Sequence, residues 1–180
     1  QKAFGNGVSL ITHMFNAMAG MHHREPGLPG AALDNDNVTV EIITDGIHLN
    51  PLIVKMIIKC KTPGRVALIT DSTMATGLED GEYMLWEQPV VVKNGEVRLN
   101  NGVLSGSTLT LGKAVRNVVR NFGIALEDAI IMAADTPARI AGVDEKKGSL
   151  SVGKDADIVL LDRDLNVVMT MVEGRIVFKK

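Results

Sequence analysis

The sequence is poor in cysteine, aromatic residues and excess charge of one sign. Its single cysteine, Cys60, cannot form an internal disulfide, so we expect a reducing compartment and a cytoplasmic protein. The net charge is −2, and the sequence shows no basic stripe of the kind that binds nucleic acid. No apolar run approaches the roughly 20 residues that a membrane helix needs, so we expect no membrane partner.

Aliphatic residues are plentiful and form three runs with the same ending. Hydrophobic residues make up 46% of the 180 residues, enough for a core of Val, Ile, Leu, Met and Ala. Three short apolar runs each end in a threonine followed by a polar residue, which is His13, Asp45 or Asp71. Such runs are typical of strands buried in a parallel sheet, whose carboxyl ends hold the reacting groups of α/β proteins. The sequence therefore predicts βα units whose strand ends face one site.

Other local patterns predict helices and one hairpin. Asn50 followed by Pro51 is typical of a helix start, with the asparagine as the N-cap. Asn94-Gly95 between two apolar runs predicts a tight type I′ turn and a hairpin. A further helix is predicted over 126–135, and Pro137 is expected to break or kink it.

The last part of the chain predicts a small β region. Short strands are expected at 148–150, 157–162, 167–172 and 176–178. We therefore divide the chain into a first part, residues 1–147, and a small β-domain, residues 148–180.

Each candidate site residue has a functional and a structural interpretation. His13 is either a metal ligand or a hydrogen-bonded structural histidine. Asp71 is either a general base or metal ligand, or a helix N-cap. Asp45 lies in an Asp-Gly sequence typical of turns. His48 is either an oxyanion donor or substrate contact, or a loop histidine touching the Asp45 backbone.

Two further segments could bind anions. A loop rich in glycine and proline carries His22, His23 and Arg24, and Arg24 suits a phosphate or carboxylate, although a solvated charge cluster is the alternative. The segment Leu104-Ser105-Gly106-Ser107 is predicted to lie at a helix N-terminus, where it would bind a polar ligand or only cap the helix.

Five motifs resemble one enzyme family in their order and spacing. They are Thr12-His13-Met14-Phe15-Asn16-Ala17-Met18, Arg24-Glu25-Pro26-Gly27, Asp45-Gly46-Ile47-His48, Thr70-Asp71-Ser72 and Leu104-Ser105-Gly106-Ser107. Together they resemble the C-terminal half of the N-acetylglucosamine-6-phosphate deacetylases, which belong to the amidohydrolase superfamily. The segment from Gly148 to Val159 resembles the small β-domain of that superfamily.

This resemblance implies the architecture. The fold class would be α/β, as the last three strands of a (β/α)8 TIM-type barrel with a small C-terminal β-sandwich portion. Residues 1–147 would be the C-terminal part of the barrel, and residues 148–180 the strands of the β-domain. The family's other metal ligands lie in an N-terminal half, so we expect this chain to be part of a longer protein and inactive alone. At full length the resemblance suggests a homodimer.

The resemblance also implies roles for residues. His13 would bind a divalent metal ion, with zinc expected and iron, cobalt or manganese as alternatives. Asp71 would be the catalytic acid and base, and His48 would contact the acetamido carbonyl and stabilise the oxyanion. The remaining substrate-binding residues would be Asn16, Ala17, Arg24, Asp45, Leu104, Ser105 and Gly106.

The expected function follows from these roles. It is metal-dependent hydrolysis of the N-acetyl group of N-acetylglucosamine 6-phosphate to glucosamine 6-phosphate and acetate, in amino-sugar catabolism. The expected partner is thus a small amino-sugar phosphate. The alternatives are a dihydroorotase-like cyclic amidase, and a catalytically incomplete fragment that only binds or assembles.

Overall fold

The computed structural model describes residues 2–180 and is a mixed α/β structure with three separate β-sheets. The first sheet contains β1 (Leu10–Ile11), β2 (Thr39–Ile43) and β3 (Val66–Ile69). Its strands are all parallel, in the order β1-β2-β3. The three apolar runs are therefore confirmed as parallel strands, although β1 is shorter than its run.

The central strand β2 is covered on both faces, as its largely apolar sequence predicts, although the half-buried Glu41 interrupts the apolar residues. Val40, Ile42 and Ile43 are each 0% exposed. The strands share one apolar cluster with helices α2 (Gly27–Asp34), α3 (Pro51–Lys61) and α4 (Leu111–Arg120). Burial of each large aliphatic side chain stabilises the fold by roughly 1.5–3 kcal/mol.

The helix start at Asn50 is confirmed. The Asn50 side chain accepts a hydrogen bond from the backbone N–H of Leu52 at 2.9 Å. Helix α3 ends before a short 3₁₀ turn, Pro63–Arg65, which leads directly into β3. A single helical turn, α1 (Lys2–Gly5), precedes β1.

The helix predicted over 126–135 is interrupted. Helix α5 (Leu126–Ile130) passes into a π-helical turn (Ile131–Asp135) and then into α6 (Thr136–Ile140). Pro137 lies in the first turn of α6, where it lacks the N–H that would donate to a carbonyl four residues earlier. The missing donor accounts for the π-helical turn that precedes Pro137.

A second, antiparallel sheet lies in the chain between β3 and α4. It contains β4 (Gly81–Leu85), β5 (Gln88–Lys93), β6 (Glu96–Leu99) and β7 (Leu104–Ser107), paired in chain order. The predicted hairpin between β5 and β6 is confirmed. Its turn has φ of 53° at Asn94 and 85° at Gly95, as a type I′ turn requires.

The segment Leu104–Ser107 was expected at a helix N-terminus, and this prediction is wrong. These residues form strand β7, and α4 begins only at Leu111. Thr110 is the N-cap, since its side chain accepts from the Lys113 N–H at 3.4 Å. Pairing of β7 with β6 across the sheet overrides the capping tendency of its two serines.

A third sheet ends the chain. It contains β8 (Ile158–Leu161), β9 (Val167–Val172) and β10 (Arg175–Lys179), antiparallel in the order β10-β9-β8. The strand predicted at 148–150 is wrong. Gly148 has a φ of 87° and packs so closely on α6 that a Cβ there would lie 2.5 Å from the Cβ of Ala138. No helix within residues 2–180 combines the length and apolar character that crossing a membrane requires.

Candidate active site

The topology brings the three strand-end residues to one edge of the parallel sheet. His13, Asp45 and Asp71 each lie two residues beyond the last residue of their strand. Because the strands are parallel, their carboxyl ends meet at the same edge. The sequence prediction that three strand ends face one region is therefore confirmed at the level of the fold.

His13 combines a strained backbone with an unsatisfied ring atom. Its φ is 32°, in the left-handed region that costs a non-glycine residue about 1–3 kcal/mol and is often found at functional sites. Its Nδ1 is buried without a hydrogen-bond partner among the described residues. This orphaned nitrogen is not the pattern of a satisfied structural histidine, and it fits the role of a ligand.

His13 does not complete a metal site with its neighbours. Within residues 2–180, no three histidine, cysteine, aspartate or glutamate side chains converge to hold a metal ion. A protein zinc site needs three or more protein ligands. The residues present therefore fit a divalent metal through one ligand only.

Asp71 has a fixed backbone and a free carboxylate. Its carbonyl accepts a hydrogen bond from the Ser107 N–H at 2.8 Å, and its φ is 49°. The side chain is exposed, and no described residue donates to its carboxylate. The interpretation as a helix N-cap is wrong, since a turn rather than a helix follows at 74–77. A carboxylate held in this way is suited to proton transfer.

Strand β7 lies directly beside Asp71. Gly106 has a φ of 66°, and a Cβ there would lie 3.0 Å from the Asp71 carbonyl oxygen and 2.7 Å from Cγ2 of Thr73. Ser107 is buried, and its hydroxyl donates to the Thr70 carbonyl while accepting from the Leu109 N–H. Gly106 and Ser107 therefore border the end of β3, and the half-buried Leu104 and Ser105 precede them in β7.

Asp45 and His48 form a tight local unit. Asp45 Oδ2 lies 2.7 Å from His48 Nδ1, while Oδ1 accepts the N–H groups of Ile47 at 2.8 Å and His48 at 2.9 Å. Burial raises the pKa of the Asp45 carboxyl, but these hydrogen bonds outweigh burial and lower its pKa below the ordinary value. Both oxygens are thus engaged locally, which differs from the direct substrate contact expected for Asp45.

The remaining sequence-predicted residues lie after β1. Asn16 is half-buried and its amide donates to the Met14 carbonyl at 3.3 Å. Ala17 is exposed with a φ of 54°. Arg24 is exposed, and its guanidinium makes no ion pair or hydrogen bond within residues 2–180. The structure therefore leaves the Arg24 side chain free, and does not bring it into contact with His13, Asp45 or Asp71.

Sequence reasoning missed a buried polar contact behind the site. The Asn117 amide donates to the Thr44 carbonyl at 2.9 Å, and the Thr44 hydroxyl donates to the Ala114 carbonyl at 3.4 Å. Thr44 is the residue immediately before Asp45. The available signal was an asparagine between Val115 and Val118 on the apolar face of a helix, since a buried amide needs a partner.

These features define the class of protein. Parallel strands covered by helices, with a histidine and two carboxylates at their carboxyl edge, are the arrangement of an α/β enzyme with its active site at that edge. The sequence profile of the amidohydrolase family matches residues 1–177. The chain belongs to the amidohydrolase family.

The most similar relatives include deacetylases of amino-sugar phosphates. N-acetylglucosamine-6-phosphate deacetylase of Vibrio furnissii is 42% identical over 176 residues, which cover 98% of this chain and 44% of that protein. N-acetylgalactosamine-6-phosphate deacetylase of Escherichia coli O157:H7 is 41% identical over 174 residues, covering 97% of this chain and 46% of that protein. The resemblance inferred from the motifs is thus confirmed.

The fold agrees with these relatives. The crystal structure of N-acetylglucosamine-6-phosphate deacetylase from Thermotoga maritima is 41% identical and superposes with a TM-score of 0.94. The match covers 99% of this chain and 49% of that chain. The chain therefore spans about half the length of these relatives.

Proposed function

We propose that the protein hydrolyses the N-acetyl group of N-acetylglucosamine 6-phosphate, giving glucosamine 6-phosphate and acetate, in the metal-dependent catabolism of amino sugars. The observation that carries the proposal is the free Asp71 carboxylate at the carboxyl edge of the parallel sheet. The deacetylase relatives support the substrate class.

For the architecture, we infer that β1, β2 and β3 are the last three strands of a (β/α)8 barrel. Their parallel order and the TM-score of 0.94 over half of a longer deacetylase support this inference. Residues 1–147 then belong to the barrel, and residues 148–180 contribute to a small β-sandwich. The complete protein is proposed to be a cytoplasmic homodimer.

In this proposal, His13 is one ligand of a divalent metal whose other ligands lie outside the described residues. The metal is zinc, or alternatively iron, cobalt or manganese. When bound, such an ion lowers the pKa of water and so supplies hydroxide near neutral pH. Asp71 accepts the proton of the attacking water and returns it to the departing amine.

The other proposed contacts hold the substrate. Arg24 binds the phosphate, for which its exposed and unpaired guanidinium is available. Asn16 and Ala17 contact the sugar phosphate from the turn after β1. Leu104, Ser105 and Gly106 contact the sugar, with Gly106 beside Asp71. His48 contacts the amide carbonyl, with Asp45 beside it.

The test is acetate release by the complete, metal-loaded gene product, beside its Asp71→Asn variant. Both N-acetylglucosamine 6-phosphate and N-acetylgalactosamine 6-phosphate are assayed, because relatives are named for each. Asparagine tolerates the left-handed backbone at position 71, so the variant keeps the fold. We expect kcat to fall by about 10²–10⁴-fold.

Asp164→Asn is the matched control, because this exposed carboxylate lies in the turn after β8 and should leave kcat unchanged. No acetate from either sugar by a folded, metal-loaded parent would rule out the deacetylase proposal, and cyclic amides would be tested next. Full activity of the Asp71→Asn variant would remove Asp71 from the mechanism.

A second assay separates the deacetylase from a cyclic amidase. Arg24→Ala should raise KM for the phosphorylated sugar far more than for the unphosphorylated one, because only the phosphate pairs with the guanidinium. An equal change for both sugars would argue against a phosphate site at Arg24.

A further inference from the structure

The geometry of the Asp45–His48 pair indicates which ring nitrogen of His48 carries the proton. Both side chains are 6% exposed, and the atoms Asp45 Oδ2 and His48 Nδ1 are 2.7 Å apart. At this distance one of the two atoms must donate. Which atom donates decides whether Nε2, the ring nitrogen left for the substrate, carries a hydrogen or a lone pair in the neutral ring.

The surrounding hydrogen bonds decide the direction. Oδ1 of Asp45 already accepts the N–H groups of Ile47 and His48, both of which favour an ionised carboxylate. An ionised carboxylate can only accept hydrogen bonds. His48 Nδ1 therefore donates, and the proton of the neutral ring lies on Nδ1.

The other ring nitrogen is then the functional atom. Nε2 has no hydrogen-bond partner among residues 2–180. In the neutral ring it carries a lone pair, so it can donate to a carbonyl oxygen only after gaining a second proton. The adjacent carboxylate stabilises the imidazolium that results, as the aspartate of a catalytic triad does.

A hydrogen bond from helix α4 fixes the backbone just before Asp45. The Thr44 carbonyl, one residue before Asp45, accepts the buried amide of Asn117 at 2.9 Å. Asn117 is 8% exposed and Thr44 is 0% exposed. Helix α4 thereby fixes the point from which the Asp45 turn starts.

We propose that Asp45 is a positioning residue that keeps the proton of His48 on Nδ1 and holds the ring so that Nε2 faces the substrate's amide carbonyl. Asp45 then acts through His48 and does not itself bind substrate. The identity of the carbonyl rests on the proposed function, whereas the position of the proton does not.

The test is Asp45→Asn in the full chain, read by ¹H–¹⁵N correlation of the histidine rings. Comparison with the His48→Gln variant identifies the His48 signals. In the variant, the amide oxygen retains the two backbone N–H donors, which places the NH₂ group opposite Nδ1. We expect a proton on Nδ1 in the parent, and its loss to Nε2 in the variant.

Asp162→Asn is the matched control. Asp162 also accepts two backbone N–H groups, from Asp164 at 2.9 Å and Asn166 at 2.8 Å, but it has no histidine partner. Its variant should leave the His48 signals unchanged. A parent with an unprotonated Nδ1, or an Asp45→Asn variant that keeps the proton there, would overturn the proposal.

Kinetics give a second measurement in the complete enzyme. We expect Asp45→Asn to lower kcat on the order of 10²-fold with little change in KM, because the ring loses the carboxylate that pairs with its Nδ1–H when a protonated Nε2 donates to the oxyanion. A rise in KM at unchanged kcat would instead indicate direct substrate binding and contradict the proposal. Failure of acetate release in the parent would remove the proposed function but not the ring-proton result.

Discussion

The parallel sheet and the C-terminal sheet use similar apolar strands but bury them very differently. In β2, Val40 and Ile42 are each 0% exposed, whereas in β10 Ile176 and Phe178 remain 55% and 47% exposed. Helices pack on the first sheet and share its apolar cluster. The contrast teaches that an apolar strand sequence predicts a strand, while burial depends on what packs against it.

The two regions also use their carboxylates differently. Asp45 and Asp162 each close a local turn by accepting two backbone N–H groups. Only Asp45 is joined to a histidine, at the carboxyl edge of parallel strands. The same turn chemistry therefore supports a candidate site in one region and a surface loop in the other.

The largest stability difference is expected from matched truncations in the two sheets. Ile42→Ala should lower the free energy of unfolding by about 2–5 kcal/mol, because it removes buried methyl groups and leaves a cavity. Ile176→Ala should change it by less than about 0.5 kcal/mol, since the side chain is half exposed. Chemical denaturation of both variants measures the difference, and equal losses would show that β10 is covered in solution.

Glycines at positive φ give the next comparison. Gly106→Ala should cost about 2–4 kcal/mol, because the left-handed backbone is strained and the new Cβ meets the Asp71 carbonyl and Thr73. Gly174→Ala, at a φ of 79° with open space around it, should cost about 1–2 kcal/mol. Thermal or denaturant unfolding measures both costs. Similar losses of stability at the two positions would mean that β7 does not pack closely against Asp71.

Substitutions of two asparagines test how much buried hydrogen bonds contribute to the free energy of unfolding. Asn117→Ala leaves the buried Thr44 carbonyl unpaired and should cost about 1–3 kcal/mol. Asn166→Ala removes contacts to the more exposed Asp162 and should cost about 0.5–1.5 kcal/mol. Denaturant midpoints of the two variants rank the contacts. The reverse ranking would argue against Asn117 as the support of the Asp45 turn.

The smallest expected effect is the pH dependence of the two turns. The pKa of Asp45 and that of Asp162 are both lowered, the latter mainly by hydrogen bonds from Asn166. The ionised carboxylates therefore stabilise the fold above the ordinary pKa of 3.8, and this contribution is lost as pH falls through the folded-state pKa.

Unfolding free energies against pH compare the parent with Asp45→Asn and Asp162→Asn. The difference in unfolding free energy between parent and variant should become smaller on acidification. This pH-dependent difference should be larger for the buried Asp45 than for Asp162, because solvent screens Asp162. A gap that stays constant with pH would show that the Asp45 carboxylate is not preferentially ionised in the folded protein.

Local chemistry could be predicted from the sequence. The spacing of His13, Asp45 and Asp71 after apolar runs predicted three parallel strand ends, which the structure confirms. The cap at Asn50 and the Asn94-Gly95 turn were also predicted correctly. These features depend on residues a few positions apart, whose hydrogen bonds and dihedral preferences are set by the chain itself.

The neighbours of the candidate site were decided by tertiary structure. Ser107 reaches the Thr70 carbonyl across 37 residues, and Asn117 reaches the Thr44 carbonyl across 73. The capping tendency of Ser105 and Ser107 predicted a helix start, yet sheet pairing made this segment a strand beside Asp71. By itself, the sequence thus determined the strands and their polar ends. Which distant segments meet at those ends was decided by packing, because contacts over such separations depend on which apolar faces bury each other.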